Sequence, residues 1–373
     1  MVMDIGIGVI GCGTIASAYL QNLTRAPGAR VLALADLDVA RARNLASTFG
    51  VPDALDPDAL LARGDIDLVV DLTIPAAHYD VNRRALEAGK AVYAEKPLAA
   101  TAAEARALVE LAARVGRPLG GAPDTFLGAG LQTARAALDE GTIGRPFAAV
   151  AHMVSSGPER WHPSPDFLYQ PGAGPLLDMG PYYVTAMVSL FGPVASVLAD
   201  GGRTWPERMI GKGPRAGARF AVEVDTHVTL LLRFASGVQA TLLTSFDVQA
   251  SELPRFEVFG EHGTLALPDP NTFAGPVRVR AATDDAWREV PAVPGFASNA
   301  RGIGALELAA AHRAGRAARA SGDLASHVLD VLEGGLTALR TDARVAIDSR
   351  PDRPAPLTPD DLAELGWTQE APA

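Results

Sequence analysis

Gly11-Cys12-Gly13-Thr14-Ile15-Ala16 lies between the apolar run Ile5 to Ile10 and a helical pattern reaching Leu23, and a second apolar run covers Val31 to Ala35. A Gly-x-Gly-x-x-Ala string alone carries little, but in a strand-to-helix turn it makes a dinucleotide site. Gly11 permits the tight turn, Gly13 lets a pyrophosphate approach the backbone, and Ala16 keeps helix and strand close. The phosphates would meet the unpaired N–H groups and positive dipole end of the helix. No lysine or arginine lies between residues 4 and 24, in keeping with recognition by backbone. Asp36 closes the second strand, where a carboxylate can accept hydrogen bonds from the adenosine ribose hydroxyls and repel a 2′-phosphate. Its other reading is a solvated turn residue before a helix. NAD is therefore expected in preference to NADP, with Arg41 and Arg43 near enough in sequence to serve the phosphorylated cofactor. Cys12 is the single cysteine, and under the expected pyrophosphate a small apolar side chain suffices.

A chain of 373 residues, 48% of them hydrophobic, can bury the cores of two domains. Its formal net charge of −10 argues against nucleic acid or an anionic membrane surface as partner, since both reward clustered positive charge. One cysteine excludes an internal disulfide, and Met1-Val2-Met3-Asp4 lacks the basic, apolar, small-residue order of a secretory signal. The cytoplasm is the expected compartment. No run approaches the roughly 18 apolar residues of a membrane span. The seven histidines show no paired ligand spacing, and no metal is expected.

Leu68 to Thr73 and Ala91 to Ala94 continue the strands, with helices near Ala76 to Ala88 and Ala102 to Val115 and a last strand near Pro118 to Ala122. This alternation implies an α/β, parallel-stranded Rossmann domain over residues 1–122. Leu131 to Glu140 reads as a connecting helix. From Pro146 the pattern turns to β: Phe147 to Val154, Val194 to Ala199, Val222 to Phe234, Val238 to Asp247, Phe256 to Phe259, Thr264 to Leu267, Val277 to Arg280 and Trp287 to Val290. Ser236-Gly237 suits a hairpin turn between two of these. Residues 123–373 are thus expected to form an α+β domain on a large, mostly antiparallel sheet, for substrate binding and self-association. Helices from Gly304 to Ala318 and Leu324 to Leu339 precede a proline-rich tail expected to be partly mobile.

Gly172 to Tyr183 interrupts the β region with a glycine-rich lead into a helix running to Phe191. Pro181 is acceptable in a first helical turn but costly farther in, which places the helix start close to Asp178. Asp178 and Tyr182, four residues apart, then share a face. A carboxylate and a phenol projected together can bind a sugar hydroxyl and take its proton; alternatively Asp178 caps the helix and Tyr182 packs in the core. Tyr183 points elsewhere and is assigned to packing.

Glu95-Lys96-Pro97 follows the strand Ala91 to Ala94 and delivers a lysine to the carboxyl edge of the first sheet. Together with Gly11 to Ala16, Thr73-Ile74-Pro75 and His78, Gly174 to Tyr182, and Gly260-Glu261-His262-Gly263-Thr264, it resembles the glucose-fructose oxidoreductase and inositol dehydrogenase family, Gfo/Idh/MocA, over nearly the whole chain. The resemblance implies that Lys96 is catalytic, that Glu95 helps hold the nicotinamide ribose, and that Cys12, Thr14, Ile15, Thr73, Pro75 and His78 belong with the glycines to the cofactor site. Many members carry Asp-x-x-x-His on the second domain; here Tyr182 replaces the histidine, as in the glucose-fructose oxidoreductase and dihydrodiol dehydrogenase branches. Relatives are often homodimers or homotetramers.

The expected activity is NAD-dependent dehydrogenation of a hydroxyl of a sugar, glycoside or cyclic polyol. Lys96, Asp178 and Tyr182 would be catalytic, with either Tyr182 or Lys96 receiving the proton, since both side chains ionise near pH 10 when free. Arg160, Trp161 and His162 form a candidate substrate loop, Trp161 stacking on a sugar face or anchoring a long loop. His78 is either near the nicotinamide or a helix-start residue, and Asp124 is either a substrate ligand or a domain-junction residue. The same site also suits a lyase or glycosidase that oxidises its sugar transiently, and the fold suits a nucleotide or sugar sensor.

Overall fold

In the computed structural model, which describes residues 5–366, the first third alternates β1 (Ile5–Ile10), α1 (Ala16–Leu23), β2 (Ala29–Ala35), α2 (Val39–Phe49), β3 (Asp53–Leu55), α3 (Pro57–Leu61), β4 (Leu68–Asp71), α4 (Pro75–Glu87), β5 (Ala91–Ala94), α5 (Ala102–Val115) and β6 (Leu119–Gly121). All neighbouring strands run parallel in the order β3-β2-β1-β4-β5-β6. Nearly every position of β1, β4 and β5 is buried, as continuous apolar runs require when helices cover both faces. Helix boundaries follow local chemistry: a Thr101–Glu104 capping box opens α5, and left-handed Gly116 closes it.

Register decides where the site can be. Ile10 pairs with both Ala35 and Asp71, and Asp71 pairs with Ala94, so three parallel strands beside β1 end level with it. Whatever follows those strands in sequence, namely Gly11, Asp36, Leu72 and Glu95, shares one edge at the point where the strand order reverses.

After α6 (Ala129–Asp139) come β7 (Pro146–Val154), α7 (Gly174–Phe191), β8 (Val194–Gly202), β9 (Glu207–Met209), β10 (Arg219–Ala221), β11 (His227–Phe234), β12 (Gln239–Ser245), β13 (Phe256–Gly260), β14 (Gly263–Leu267), β15 (Arg278–Ala281) and β16 (Arg288–Glu289). Helices α8 (Ile303–Arg313) and α9 (Gly322–Thr341), then β17 (Val345–Ala346) and α10 (Pro359–Glu364), complete the described chain. The nine-stranded sheet has the order β16-β15-β14-β13-β7-β12-β11-β8-β17 and is antiparallel except between β12 and β7. Its inner face packs on α7, which is buried almost all round. The C-terminal helices return to the first sheet: Gly121 N–H donates to the Ala320 carbonyl at 3.1 Å, and Ala325 and Leu329 of α9 join the core beside α5. No helix among the described residues is long and apolar enough to cross a membrane.

Three expectations are corrected. The strand read from Val222 starts at His227, because Val222 N–H donates to Pro206 and Glu223 N–H to Tyr169, tying that segment to loops instead of the ladder. Helix α7 starts at Gly174, with Pro175 in its first turn and Pro181 inside it, so Asp178 does not cap it. The tail is held down: Arg319 donates to the carbonyls of Ala355 (3.0 Å) and Pro356 (2.9 Å) and to Asp361 (2.6 Å), while Arg135 donates to the Pro354 carbonyl at 2.7 Å. Residues 367–373 of that tail, and the Met1 to Asp4 segment, lie outside the described residues.

Glu307, fully buried, receives the N–H and a guanidinium N–H of Arg319, both at 2.9 Å, and is also paired with Arg316. Arg319→Met should leave that carboxylate underpaired and lower stability by about 3–5 kcal/mol. Chemical denaturation measures the loss, and limited proteolysis should show residues 350–366 newly cleavable.

Candidate functional site

The glycine turn has the geometry that an anion needs. Gly11 takes φ +98°, and a Cβ there would stand 2.5 Å from the backbone carbon of Leu72. A Cβ on Gly13 would meet nothing within 4 Å, so the space above that residue is open. No side chain caps α1; the Ala16 and Ala18 N–H groups turn back to the Gly13 and Ile15 carbonyls, so a phosphate would draw on the other N–H groups of this turn. Asp36 accepts from the N–H of Cys12 and of Asp38, both at 2.9 Å, so this carboxylate ties the glycine turn to the end of β2. Arg41 lies 3.7 Å from Asp36. Burial, then Asp36, pushes the Cys12 thiol up to about 12, against a smaller opposing effect of Arg41, so this cysteine is inert at neutral pH. Gly11 to Ile15, Asp36 and the β4 edge therefore fit a bound dinucleotide.

On that edge Asp71 accepts from Thr73 N–H (3.0 Å) and Oγ1 (2.6 Å) and fixes the turn leading to Pro75, the first residue of α4. His78 is fully buried, with Nδ1 2.6 Å from the Pro97 carbonyl and Nε2 3.1 Å from that of Thr73. It bridges the loops after β4 and β5 from below. Glu95, also buried, accepts from Tyr19 Oη and from its neighbour's N–H at Lys96, both at 2.8 Å.

Lys96 crosses to the second domain. Its Nζ donates to the Asp178 carbonyl at 2.7 Å and to Asp178 Oδ1 at 2.9 Å, and sits 5.4 Å from the centre of the Tyr182 ring. Asp178 and Tyr182 thus share the face of α7 that their spacing predicts. Burial works against the Lys96 ammonium, but Asp178, then Tyr182 and Glu95, outweigh it and hold the group above the ordinary lysine range. Burial likewise pushes the Tyr182 phenol up, opposed chiefly by Lys96.

Asp124 is buried at the domain junction. Its Oδ2 accepts from Gly302 (2.9 Å) and Gly304 (3.1 Å), capping α8, and burial pushes the carboxyl up to about 6. The loop Arg160-Trp161-His162 is braced from beneath by buried Glu159, which pairs with Arg208 at 2.6 Å and accepts from Tyr169 Oη. Trp161 itself is 64% exposed, and His162 stands edge-on between it and Phe167. Tyr183 is core, its hydroxyl 3.3 Å from Asp269.

Arg301 was not legible in the sequence. It sits in the irregular loop before α8, where its guanidinium donates to Asn271 Oδ1 at 2.9 Å and its charge, after that of Lys96, favours ionisation of Tyr182. The only local signal is the glycine pair Gly302 and Gly304 opening a helix, which marks the turn without saying what the turn approaches.

Two family models match: residues 5–120 fit the oxidoreductase family's NAD-binding Rossmann fold, and residues 131–266 fit the GFO/IDH/MocA C-terminal domain. An inositol 2-dehydrogenase of Saccharopolyspora erythraea is 30% identical over 275 residues, covering 72% of this chain and 76% of that protein. A second inositol 2-dehydrogenase of the same organism is 28% identical over 294 residues, 77% of this chain and 80% of its own. An NAD-binding oxidoreductase from Klebsiella pneumoniae shares the fold at a TM-score of 0.80 with 22% identity, across 92% of this chain and 99% of that one.

Asp36→Ala removes the turn's anchor together with the carboxylate expected to accept from the ribose. Calorimetry should show NAD binding weakened at least about tenfold and the preference over NADP narrowed, one to two lost hydrogen bonds to a charged acceptor being worth that much. Unchanged affinity for both nucleotides would remove Asp36 from the cofactor site.

Proposed function

Because the chain belongs to the GFO/IDH/MocA family of NAD-binding oxidoreductases, we propose that Lys96, Asp178 and Tyr182 carry out the oxidation of a hydroxyl on a sugar, glycoside or cyclic polyol. The protein is an NAD-dependent oxidoreductase acting on CH–OH groups of sugar or polyol substrates. One observation supports the assignment above others: a lysine from the cofactor sheet meets a carboxylate and a phenol from the substrate sheet. NAD, when bound, supplies the hydride acceptor.

Lys96 commits two N–H groups to Asp178 and retains a third for a substrate oxygen. Since Asp178 holds it as an ammonium, Lys96 serves as donor and positive charge, and Tyr182 is the proton acceptor. As the C–H bond of the alcohol breaks with its electron pair, the hydroxyl proton passes to Tyr182 and a carbonyl remains. The remaining accessible part of Asp178 orients a neighbouring hydroxyl, and Trp161, with Arg160 and His162, lines the outer side of the substrate space. A base whose phenol is pushed upward works better as pH rises, so kcat/KM should increase toward alkaline pH.

The reading extends to a cytoplasmic homodimer or homotetramer. The face of the nine-stranded sheet turned away from α7 presents Leu231, Val150 and Phe259, a surface suited to self-association.

NADH formation against inositols, monosaccharides, anhydrosugars and aryl glycosides tests the function. Lys96→Ala and Tyr182→Phe should each lower kcat by about 10²–10⁴-fold with NAD affinity retained. Wild-type rates in either variant would refute its role. Cleaved product without accumulating NADH would indicate transient oxidation instead, and nucleotide binding without turnover would indicate a sensor.

A further inference from the structure

The hairpin of β9 and β10 belongs to neither large sheet and lies against the candidate substrate loop. That loop follows β7, and Asp247 stands just past the end of β12, the parallel neighbour of β7. Arg208, on β9, bridges the two. Its Nη1 donates to Glu159 Oε1 at 2.6 Å and its Nη2 to Asp247 Oδ1, and all three side chains are more than nine-tenths buried. The guanidinium is 5.4 Å from the centre of the Tyr169 ring, whose hydroxyl donates to the other oxygen of Glu159, and 4.8 Å from that of Trp205. Asp247 also accepts from Thr226 Oγ1 at 2.7 Å. Beyond Arg208 the hairpin stays on the loop. Gly211 N–H donates to the Glu159 carbonyl at 2.8 Å, a Cβ on Gly213 would stand 2.7 Å from Pro163 Cβ, and Arg215 donates to both carboxylate oxygens of Asp166, at 2.7 and 2.8 Å. Trp161 and His162 therefore lie between two tied points, Glu159 and Asp166.

We propose that Arg208 is a positioning residue for substrate recognition: through Glu159 it locks the hairpin and the end of β12 against the loop Arg160-Trp161-His162 and so sets where that loop meets the sugar or polyol. The inference rests on that loop lining the substrate space. Glu159 immediately precedes Arg160, so a shift of its carboxylate carries the loop with it. A buried ion pair adds little net stability over a well-packed apolar cluster, because desolvation offsets the attraction. What it supplies is a fixed geometry, since a guanidinium aims its N–H groups in one plane and can grip two carboxylates at once. The arrangement is not the one stability alone would favour. Two carboxylates share one cation, and among the described residues Arg208 Nε is buried without a hydrogen-bond partner. A donor is left unpaired while Glu159 and Asp247 are held in place.

Arg208→Gln should raise KM for the substrate about 10–100-fold with kcat little changed, the effect of a binding surface displaced from its working position. NAD affinity should be retained, because the glycine turn and the β4 edge lie in the other domain. Arg208→Lys keeps the charge without the two-way grip and should recover part of the KM. Since Arg208→Gln leaves Glu159 and Asp247 buried without their cation, Arg215→Gln repeats the test at an exposed tie. It should give a smaller rise in KM with the melting temperature retained. A second readout does not depend on turnover: trypsin cleavage after Arg160, which is exposed, identified by mass spectrometry. Faster cleavage there in both Gln variants than in the parent supports the assignment. A fall in kcat with KM unchanged would make Arg208 a stabilising residue only, and unchanged cleavage would free the loop from any dependence on the hairpin; either result overturns it. If the parent oxidises no polyol, that failure concerns the substrate reading, and the cleavage rate still decides whether Arg208 holds the loop.

Discussion

The contact between Lys96 and Asp178 is the constraint on which the site depends. It joins the carboxyl edge of the parallel sheet to the helix packed beneath the second sheet, and neither domain contains the pair alone. Two charged groups removed from most solvent are costly to desolvate, and they are retained only where geometry and further hydrogen bonds compensate. Here the ammonium binds both the carboxylate and the carbonyl of one residue, and a phenol ring covers another side. A small rotation between the domains would break all three contacts together.

Pro181 puts a local defect in the same helix. A proline inside a helix has no N–H for the carbonyl four residues earlier, that of Leu177, and its ring disturbs the same turn. The next carbonyl along, that of Asp178, is the one that Lys96 takes. A helix buried nearly all round tolerates this defect because surrounding packing, not propensity, holds it.

Beneath the reactive groups lies a layer of buried polar residues that bind backbone. His78 spans the carbonyls of Thr73 and Pro97, Glu95 holds the Lys96 N–H, Asp124 caps α8, and Asp36 ties the glycine turn. In each case a side chain satisfies main-chain groups that loops would otherwise leave unpaired in a dry environment. Of the reacting side chains, Asp178 and Tyr182 stand on α7 and Lys96 on the loop after β5, which this layer holds in place.

What the sequence determined by itself was whatever depends on near neighbours: the glycine turn, the apolar parallel strands, Lys96 after β5, and Asp178 and Tyr182 on one helical face. Periods of two and 3.6 residues, with glycine and proline as punctuation, encode these directly. Tertiary structure decided the rest. Helix α7 begins at Gly174 despite Pro181 because burial outweighs the local penalty. The proline-rich tail is held by Arg135, Arg319 and Asp361, whose partners are distant in sequence. Asp124 serves a helix that starts far along the chain, holding the N–H groups of Gly302 and Gly304 with no local pattern to announce it. A single sequence records which side chains are available and which neighbours they share locally; which distant charges come together is set only when the two sheets pack against each other.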